Sequence, residues 1–237
     1  MYAKKCYLYL FLVAAMALGG CGIRKQSVCR PVLFPYVEYG YKAESRKLSE
    51  THTTYSTEAV VDFQGIKIPI PSEWEFEKVS NRSLKIFKDK QNFFSLSFFE
   101  NNPLQSHDSK MLKMIGCKDF SGRIENVKNS KDFYTDLFFF TDNDLNAHDS
   151  FWQYYILWAK TNNLRNSSQL THYTGKNLVA FKIDFDSGID CRHPDIKIRI
   201  TIFPKKIEPH YLSILSSGIK DDAFFVRFLE SLDAINQ

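Results

Sequence analysis

The stretch IKIRITI, residues 196–202, repeats isoleucine at every second position and carries Lys197, Arg199 and Thr201 between the isoleucines. Successive side chains of a β-strand point to opposite faces of a sheet, so this alternation predicts a strand with one apolar face and one polar face. The stretches VAFKIDF, residues 179–185, and FSLSF, residues 94–98, show the same alternation. Together they predict a sheet with one face covered by a core.

Other parts of the chain supply further strands and helices. Strands are predicted at four more places, which are Ile66–Ile70, Leu84–Phe87, Phe133–Phe140 and Tyr211–Leu215. Helices are predicted over His107–Ile115, Asp149–Lys160 and Asp221–Ala234, the last with Asp221 as its N-cap. This pattern predicts an α+β domain, with a mainly antiparallel sheet packed by helices on one face.

The composition is that of a globular protein with an aromatic core. Hydrophobic residues make up 44% of the 237 residues and aromatic residues 15%, including 21 Phe. The net charge is +4, and without the first 20 residues, which contain Lys4 and Lys5, 29 basic residues face 27 acidic ones. This near-neutral balance argues against nucleic acid as a partner.

The N-terminus has the pattern of a signal peptide. Lys4 and Lys5 precede the apolar run CYLYLFLVAAMAL, residues 6–18. A membrane-spanning helix needs about 20 apolar residues, and this run is shorter. A positive start, a short apolar run and small residues after it predict a cleaved leader over residues 1–20.

The residues Leu18-Gly19-Gly20-Cys21 resemble the lipobox of bacterial lipoprotein signal peptides. The resemblance implies that the thiol of Cys21 is diacylglycerylated, that the leader is cut before it, and that the new amino group is acylated. Cys21 would then begin the mature chain and anchor it in a membrane. In a Gram-negative bacterium, Gly22 in place of Asp favours the outer membrane, facing the periplasm; in a Gram-positive one this inference does not apply. The alternative is an ordinary signal peptide cut elsewhere, with Cys21 as a plain thiol.

The mature chain divides into a tether and one domain. Residues 21–57 contain Pro31, Pro35 and the polar stretch SRKLSETHTTYST, residues 45–57, without a sustained apolar period. This composition predicts a lipidated tether. The alternating patterns begin after it, so residues 58–237 are predicted to form a single α+β domain.

The domain resembles the PsbP-like α/β/α sandwich family. The resemblance depends on the opening GIKIPIPSEWEF, residues 65–76, on the strands LKIF and FFSLSFF, and on the closing helix DDAFFVRFLESL, residues 221–232. It implies a sandwich of helices around a sheet and a role in binding or assembly. The family has no common catalytic set, so the resemblance assigns no active-site residues to this chain.

The cysteines and acidic motifs were considered as sites. Leaving out Cys6 and Cys21, three cysteines remain, and a bridge between Cys117 and Cys191 is favoured over one to Cys29 because both lie in the domain. No Cys/His spacing suggests zinc. The acidic stretches DFDSGID, residues 184–190, and DNDLN, residues 142–146, fail the calcium-loop pattern. We therefore predict no metal and no cofactor.

The remaining candidates are histidines and aromatic residues. The histidines are scattered along the chain, at positions 52, 107, 148, 172, 193 and 210. Trp152, Tyr155 and Trp158 follow helical spacing and either belong to the core, which is favoured, or line a ligand groove. The sequence shows no nucleophile motif of the GxSxG type.

Three functions fit these observations. The first is a lipid-anchored envelope protein of non-catalytic binding or assembly type, with a protein partner in the envelope. The alternative is a periplasmic immunity lipoprotein that neutralises an antibacterial toxin. The third, an envelope hydrolase, ranks last because no nucleophile motif is present, and the chain is predicted not to be an enzyme.

Overall fold

A computed structural model describes residues 43–49, 57–100, 130–140, 156, 159–160, 164, 167–186, 188–189, 195–219 and 221–236 of the chain. The chain divides into two compact units, residues 1–30 and residues 31–237, and every described residue belongs to the second. The signal peptide, the lipobox and the predicted helix His107–Ile115 lie outside the described residues. Of the predicted helix Asp149–Lys160, only Ile156, Ala159 and Lys160 are described, and these three are helical.

The described part of unit 31–237 is built on one eight-stranded sheet. Its strands are β1 (Glu44–Lys47), β4 (Glu75–Ser80), β5 (Ser83–Phe87), β6 (Phe93–Phe99), β7 (Ser167–Thr174), β8 (Leu178–Phe185), β9 (Ile196–Pro204) and β10 (Tyr211–Ser217). They lie in the order β1-β7-β8-β9-β10-β6-β5-β4. Strand β1 runs parallel to β7, and all other neighbours are antiparallel. Strands β2 (Thr57–Phe63) and β3 (Ile66–Pro71) form a separate hairpin. The continuous helices among the described residues are α1 (Ser130–Phe139) and α2 (Asp222–Ile235), with a 3₁₀ turn at Lys205–Ile207.

One face of the sheet is covered by α2 and by the β2–β3 hairpin. The isoleucines of β9 that the alternation placed inside, including Ile200 and Ile202, pack there with Phe225 and Phe228 of α2. Phe94 of β6 lies under the helix, with its ring centre 5.3 Å from that of Phe228. The predicted C-terminal helix is confirmed, and so is its cap, since the Asp221 carboxylate accepts a hydrogen bond from the amide of Ala223.

The other face is covered by α1, and here two predictions are wrong. Residues 133–140 were predicted to be a strand, but Ser130–Phe139 is a helix. Its buried apolar residues fall at positions 133, 134, 137 and 138, which form one side of a helix and pack on Phe181 and Phe203 of the sheet. Because α1 and α2 belong to separate cores on opposite faces, the helices are not confined to one face.

The sheet also includes residues upstream of position 58. Strand β1 lies within the segment 21–57 that the composition assigned to the tether, yet it pairs with β7 along its four residues. The side chain of Leu48, just after β1, is buried in the core beneath α2. The last part of the predicted tether is therefore built into the sheet.

Candidate functional site

The most densely charged part of the described structure surrounds Lys182 on β8. Its ammonium group is buried and lies 2.6 Å from both carboxylate oxygens of Asp184 and 3.0 Å from Oδ1 of Asp222. Asp184 shares a sheet face with Lys182 because it follows two residues later on the same strand. Asp222 is the first residue of α2. A buried ammonium without such partners would be several kcal/mol unfavourable, so these two carboxylates make its burial possible.

Strand β1 extends this group of charges. Arg46 donates from Nη1 to Oδ2 of Asp222 at 2.9 Å, and from Nε and Nη2 to the two oxygens of Glu44, each at 2.9 Å. We call these five residues, Glu44, Arg46, Lys182, Asp184 and Asp222, the ionic cluster. Each of its two cations is held by two carboxylates, and the cluster joins β1, β8 and α2 to one another.

The environment of the ionic cluster shifts the pKa of its carboxylates in opposite directions. Burial raises the pKa of Asp184, although hydrogen bonds from Lys182 act against this shift. Burial also acts to raise the pKa of Asp222, but hydrogen bonds and charges of Lys182 and Arg46 outweigh it and hold this pKa below its usual value. The hydroxyl of Tyr173 lies 3.4 Å from Asp222, and burial, with the charge of Asp222, raises its pKa. Tyr173 therefore stays protonated, and the ionic cluster links β1 through Arg46 and Asp222 to α2 and β8.

The opposite end of the sheet presents an open edge. Strand β4 pairs only with β5 among the described residues, and all six of its residues are exposed. Phe76 is 46% exposed and Val79 is 61% exposed. In an antiparallel pair, every second residue directs its amide and carbonyl away from the partner strand, so β4 carries unpaired backbone groups along its outer side.

Contacts at both ends hold β4 in place. The ring of Trp74, just before the strand, lies 5.0 Å from Phe224 of α2 and 5.9 Å from Phe94 of β6. Just after the strand, the carbonyl of Asn81 accepts a hydrogen bond from Gln64 in the β2–β3 turn at 2.6 Å. Strand β4 is thus exposed but attached to the core through its neighbours, which is the arrangement that can accept an additional strand.

Most sites considered from the sequence lie outside the described residues. These are Leu18, Gly19, Gly20 and Cys21 of the lipobox, the cysteines Cys117 and Cys191, the stretch 142–146, and Trp152, Tyr155 and Trp158. Of the stretch 184–190, residues 184–186, 188 and 189 are described, and the carboxylate of Asp184 is bound by Lys182. The described residues contain no group of three or more His, Cys, Asp or Glu side chains arranged to hold a metal ion.

Two of the histidines are described. His172 of β7 packs between Phe139 of α1 and Phe181 of β8, with ring centres 5.2 and 5.0 Å away, and burial lowers its pKa. His210 lies beside Phe98, 5.5 Å between ring centres. Both therefore contribute to aromatic packing.

The ionic cluster was not predicted from the sequence. The alternation places Lys182 and Asp184 on the polar side of a strand, whereas the structure buries Lys182. The sequence feature that could have indicated the cluster is a Lys-x-Asp pair on a strand whose other residues are nearly all apolar. Such a strand is typical of a sheet covered on both faces.

Comparisons with known proteins identify no relative of the chain. No family model, no curated protein and no solved structure matches the chain. Among the described residues, no helix is both long and apolar enough to cross a membrane.

Proposed function

We propose that the chain is a lipid-anchored envelope protein of the non-catalytic binding type, and that it recognises another protein through the open edge at β4. The observation that carries the proposal is a six-residue edge strand, exposed along its whole length and attached to the core at both ends. Addition of a partner strand would use the unpaired backbone groups for affinity and the side chains for specificity.

The side chains of β4 define the partner segment. Glu75 lies opposite Phe87 of β5, while Phe76 lies opposite the buried Ile86. Glu75 and Phe76 therefore point to different faces, as successive strand residues do. The occupant we propose is an extended segment of a partner protein, with a basic residue beside Glu75 and an apolar residue beside Phe76. Opposite charges and apolar pairs directly across two strands each contribute about 0.2–1 kcal/mol.

A second copy of this chain fits the same edge less well. If two β4 strands paired antiparallel about Phe76, Glu75 of each copy would lie opposite Glu77 of the other, which makes two pairs of like charges. Like charges in directly opposite positions are destabilising. The charges of β4 therefore favour a different chain over self-association.

The anchor and the finer fold belong to the same proposal. Attachment through Cys21 to the outer membrane, facing the periplasm, is supported by Lys4, Lys5, the apolar run and the lipobox. Membership of the PsbP-like α/β/α sandwich family is supported by the opening and closing motifs and by α1 and α2 on opposite faces of the sheet.

The proposal is tested by capture of a partner from envelope extracts with the full chain and two variants. Phe76→Asp adds a charge to the edge, and Val60→Asp adds the same charge at a similarly exposed valine on the β2–β3 hairpin. We expect one stoichiometric partner with the wild type and Val60→Asp, and loss with Phe76→Asp. Amide hydrogen exchange in the complex should slow at β4. An absent partner would contradict the binding function, and equal capture by Phe76→Asp would contradict the edge.

Two further readouts separate parts of the proposal. A captured partner with antibacterial toxin activity would favour the immunity alternative. Cys21→Ser should abolish labelling of the chain by a fatty-acid analogue in cells, because the thioether requires the thiol. Labelling that persists in this variant would contradict the lipid anchor.

A further inference from the structure

Arg199 of β9 is a cation without a counter-ion in the part of the chain that the structure describes. It points to the face covered by α1, and its guanidinium carbon lies 5.9 Å from the ring centre of Tyr134. Its Nε atom is buried and has no hydrogen-bond partner. A buried donor left without an acceptor is destabilising, because it has lost its hydrogen bonds to water, so such an atom calls for an explanation.

The contrast with Arg46 shows what is missing at Arg199. Arg46 has three of its nitrogens on carboxylate oxygens of Glu44 and Asp222, each at 2.9 Å. The strand neighbours of Arg199 are Ile183 on β8 and Leu215 on β10, which offer no acceptor side chain. Apolar flanks lower the local dielectric, so a charge on Arg199 acts more strongly on a nearby anion than it would in water.

A buried tyrosine, Tyr134, lies next to this cation, and a second one, Tyr211, lies next to Tyr134. Tyr134 of α1 is 8% exposed, Tyr211 of β10 is 6% exposed, and their ring centres are 6.2 Å apart. Neither hydroxyl takes part in the hydrogen bonds found among the described residues. Burial raises the pKa of Tyr211, with a further rise from Tyr134 and an opposing effect of the Arg199 charge. The Tyr211 hydroxyl therefore stays protonated and remains a hydrogen-bond donor.

The two tyrosines are fixed by aromatic packing. Tyr134 contacts Phe181 and Phe203, with ring centres 5.9 and 5.8 Å away, and Tyr211 contacts Phe203 at 5.3 Å. Side chains held in this way lose little freedom when a ligand binds, which favours binding by a prearranged set of donors.

We propose that Arg199, Tyr134 and Tyr211 form a binding site for one anionic group, a carboxylate or a phosphate. Arginine suits such groups because its planar fork of N–H donors matches two oxygens of a carboxylate or phosphate. The Nε–H of Arg199 would donate to one oxygen and the tyrosine hydroxyls to others. This site lies on the face covered by α1 and is independent of the β4 edge.

The test measures saturable anion binding to the full chain at constant ionic strength. Sodium phosphate and sodium acetate are titrated separately against sodium chloride, with tyrosine fluorescence and the thermal midpoint as readouts. We expect one of the two anions to bind saturably. We expect binding to be lost in Arg199→Gln and weakened about tenfold in Tyr211→Phe, the loss of roughly one hydrogen bond to a charged group. Binding of phosphate alone would identify the bound group as a phosphate, and binding of acetate alone would identify it as a carboxylate.

A matched control is available on the same face of the sheet. Lys85 of β5 has its ammonium group 4.8 Å from the ring centre of Phe93, and the described residues provide it with no ion pair. Lys85→Gln removes one positive charge and should leave anion binding unchanged. Arg199→Lys keeps the charge without the fork and should bind more weakly than the wild type, even if Arg199→Gln fails to fold. Absence of saturable binding by both anions, or equal binding by Arg199→Lys and the wild type, would overturn the proposal.

Discussion

Removal of the buried ammonium group at Lys182 tests whether the ionic cluster holds the domain together. Lys182→Met keeps most of the aliphatic volume and removes the charge, which leaves Asp184 and Asp222 facing each other across the vacated position. Removing one partner of a buried ion pair is destabilising by about 3–5 kcal/mol, because the other charge stays buried without compensation. The side chain of Lys182 is 3% exposed and that of Asp184 is 22% exposed. The residual solvation of Asp184 places the expected loss near the lower end, about 3 kcal/mol.

The measurement is the free energy of unfolding in urea, supported by the thermal midpoint. A loss of about 3 kcal/mol corresponds to a fall of about 6–12 °C in the midpoint for a domain of this size. Lys78→Met on the exposed strand β4 is the matched control and should change the free energy by less than about 0.5 kcal/mol. A loss under about 1 kcal/mol for Lys182→Met, or one equal to the control, would refute the reasoning.

A double variant separates lost charge compensation from lost packing. In Lys182→Met combined with Asp184→Leu, the cation and its closest carboxylate are both replaced by apolar groups, and Asp222 keeps its hydrogen bond to Arg46 at 2.9 Å. Replacement of a buried pair by apolar residues is often neutral, so the double variant should be more stable than Lys182→Met alone. A double variant that is less stable would show that the side-chain stems, and not the charges, carry the effect.

Three other positions test the β6–β10 contact, the N-terminal strand and the response to acid. Gly218→Ala combines a positive φ of 84° with a Cβ only 2.0 Å from the carbonyl oxygen of Gln91, so urea unfolding should show a loss of about 2 kcal/mol or more. Gly65→Ala has a similar positive φ of 77° but open space around the added Cβ, so its free energy of unfolding should fall by only about 1 kcal/mol. Equal losses in the two variants would contradict the predicted clash with Gln91. Arg46→Ala removes the link from β1 to α2 and should speed amide hydrogen exchange at β1, whereas unchanged exchange would show that backbone pairing alone holds the strand. The pKa of Asp222 is lower in the folded state than in the unfolded state, so its stabilisation is present above its unfolded pKa and is lost as the pH falls through its folded pKa. Asp222→Asn should therefore flatten the loss of urea stability below about pH 4, and an unchanged pH profile would contradict this assignment.

Alternation in the sequence predicted the strands that have one fully apolar side. The predictions at β3, β5, β6, β8, β9 and β10 coincide with strands, and the periodic helix at the C-terminus coincides with α2. Most of the apolar residues that defined these patterns are buried, as Ile200 of β9 and Phe228 of α2 illustrate. Burial of apolar surface is the dominant favourable term in folding, so elements that depend on it leave the clearest pattern.

Elements held mainly by their neighbours left no such pattern. Strand β4, EFEKVS, is exposed on both faces and is ordered by pairing with β5. Strand β1, ESRK, is held by parallel pairing and by the contacts of Arg46. The run Phe133–Phe140 was wrongly predicted to be a strand for a different reason, because a short, nearly continuous apolar run is compatible with both a helix and a strand. Packing against the sheet at positions 133, 134, 137 and 138 decides for the helix.

Alternation of apolar and polar residues does not show whether a polar strand position is exposed to water. In a sheet covered by helices on both faces, a charged residue in a polar position is not necessarily in water, and it needs a partner wherever a helix or loop lies above it. On β8 the chain supplies that partner to Lys182 through Asp184 and Asp222. On β9 the described residues leave Nε of Arg199 without one. The two strands are neighbours and their sequences look alike, so this difference becomes visible only when the elements above each face are known. For this reason we assign Lys182 a role in stabilising the fold and propose that Arg199 binds an anion.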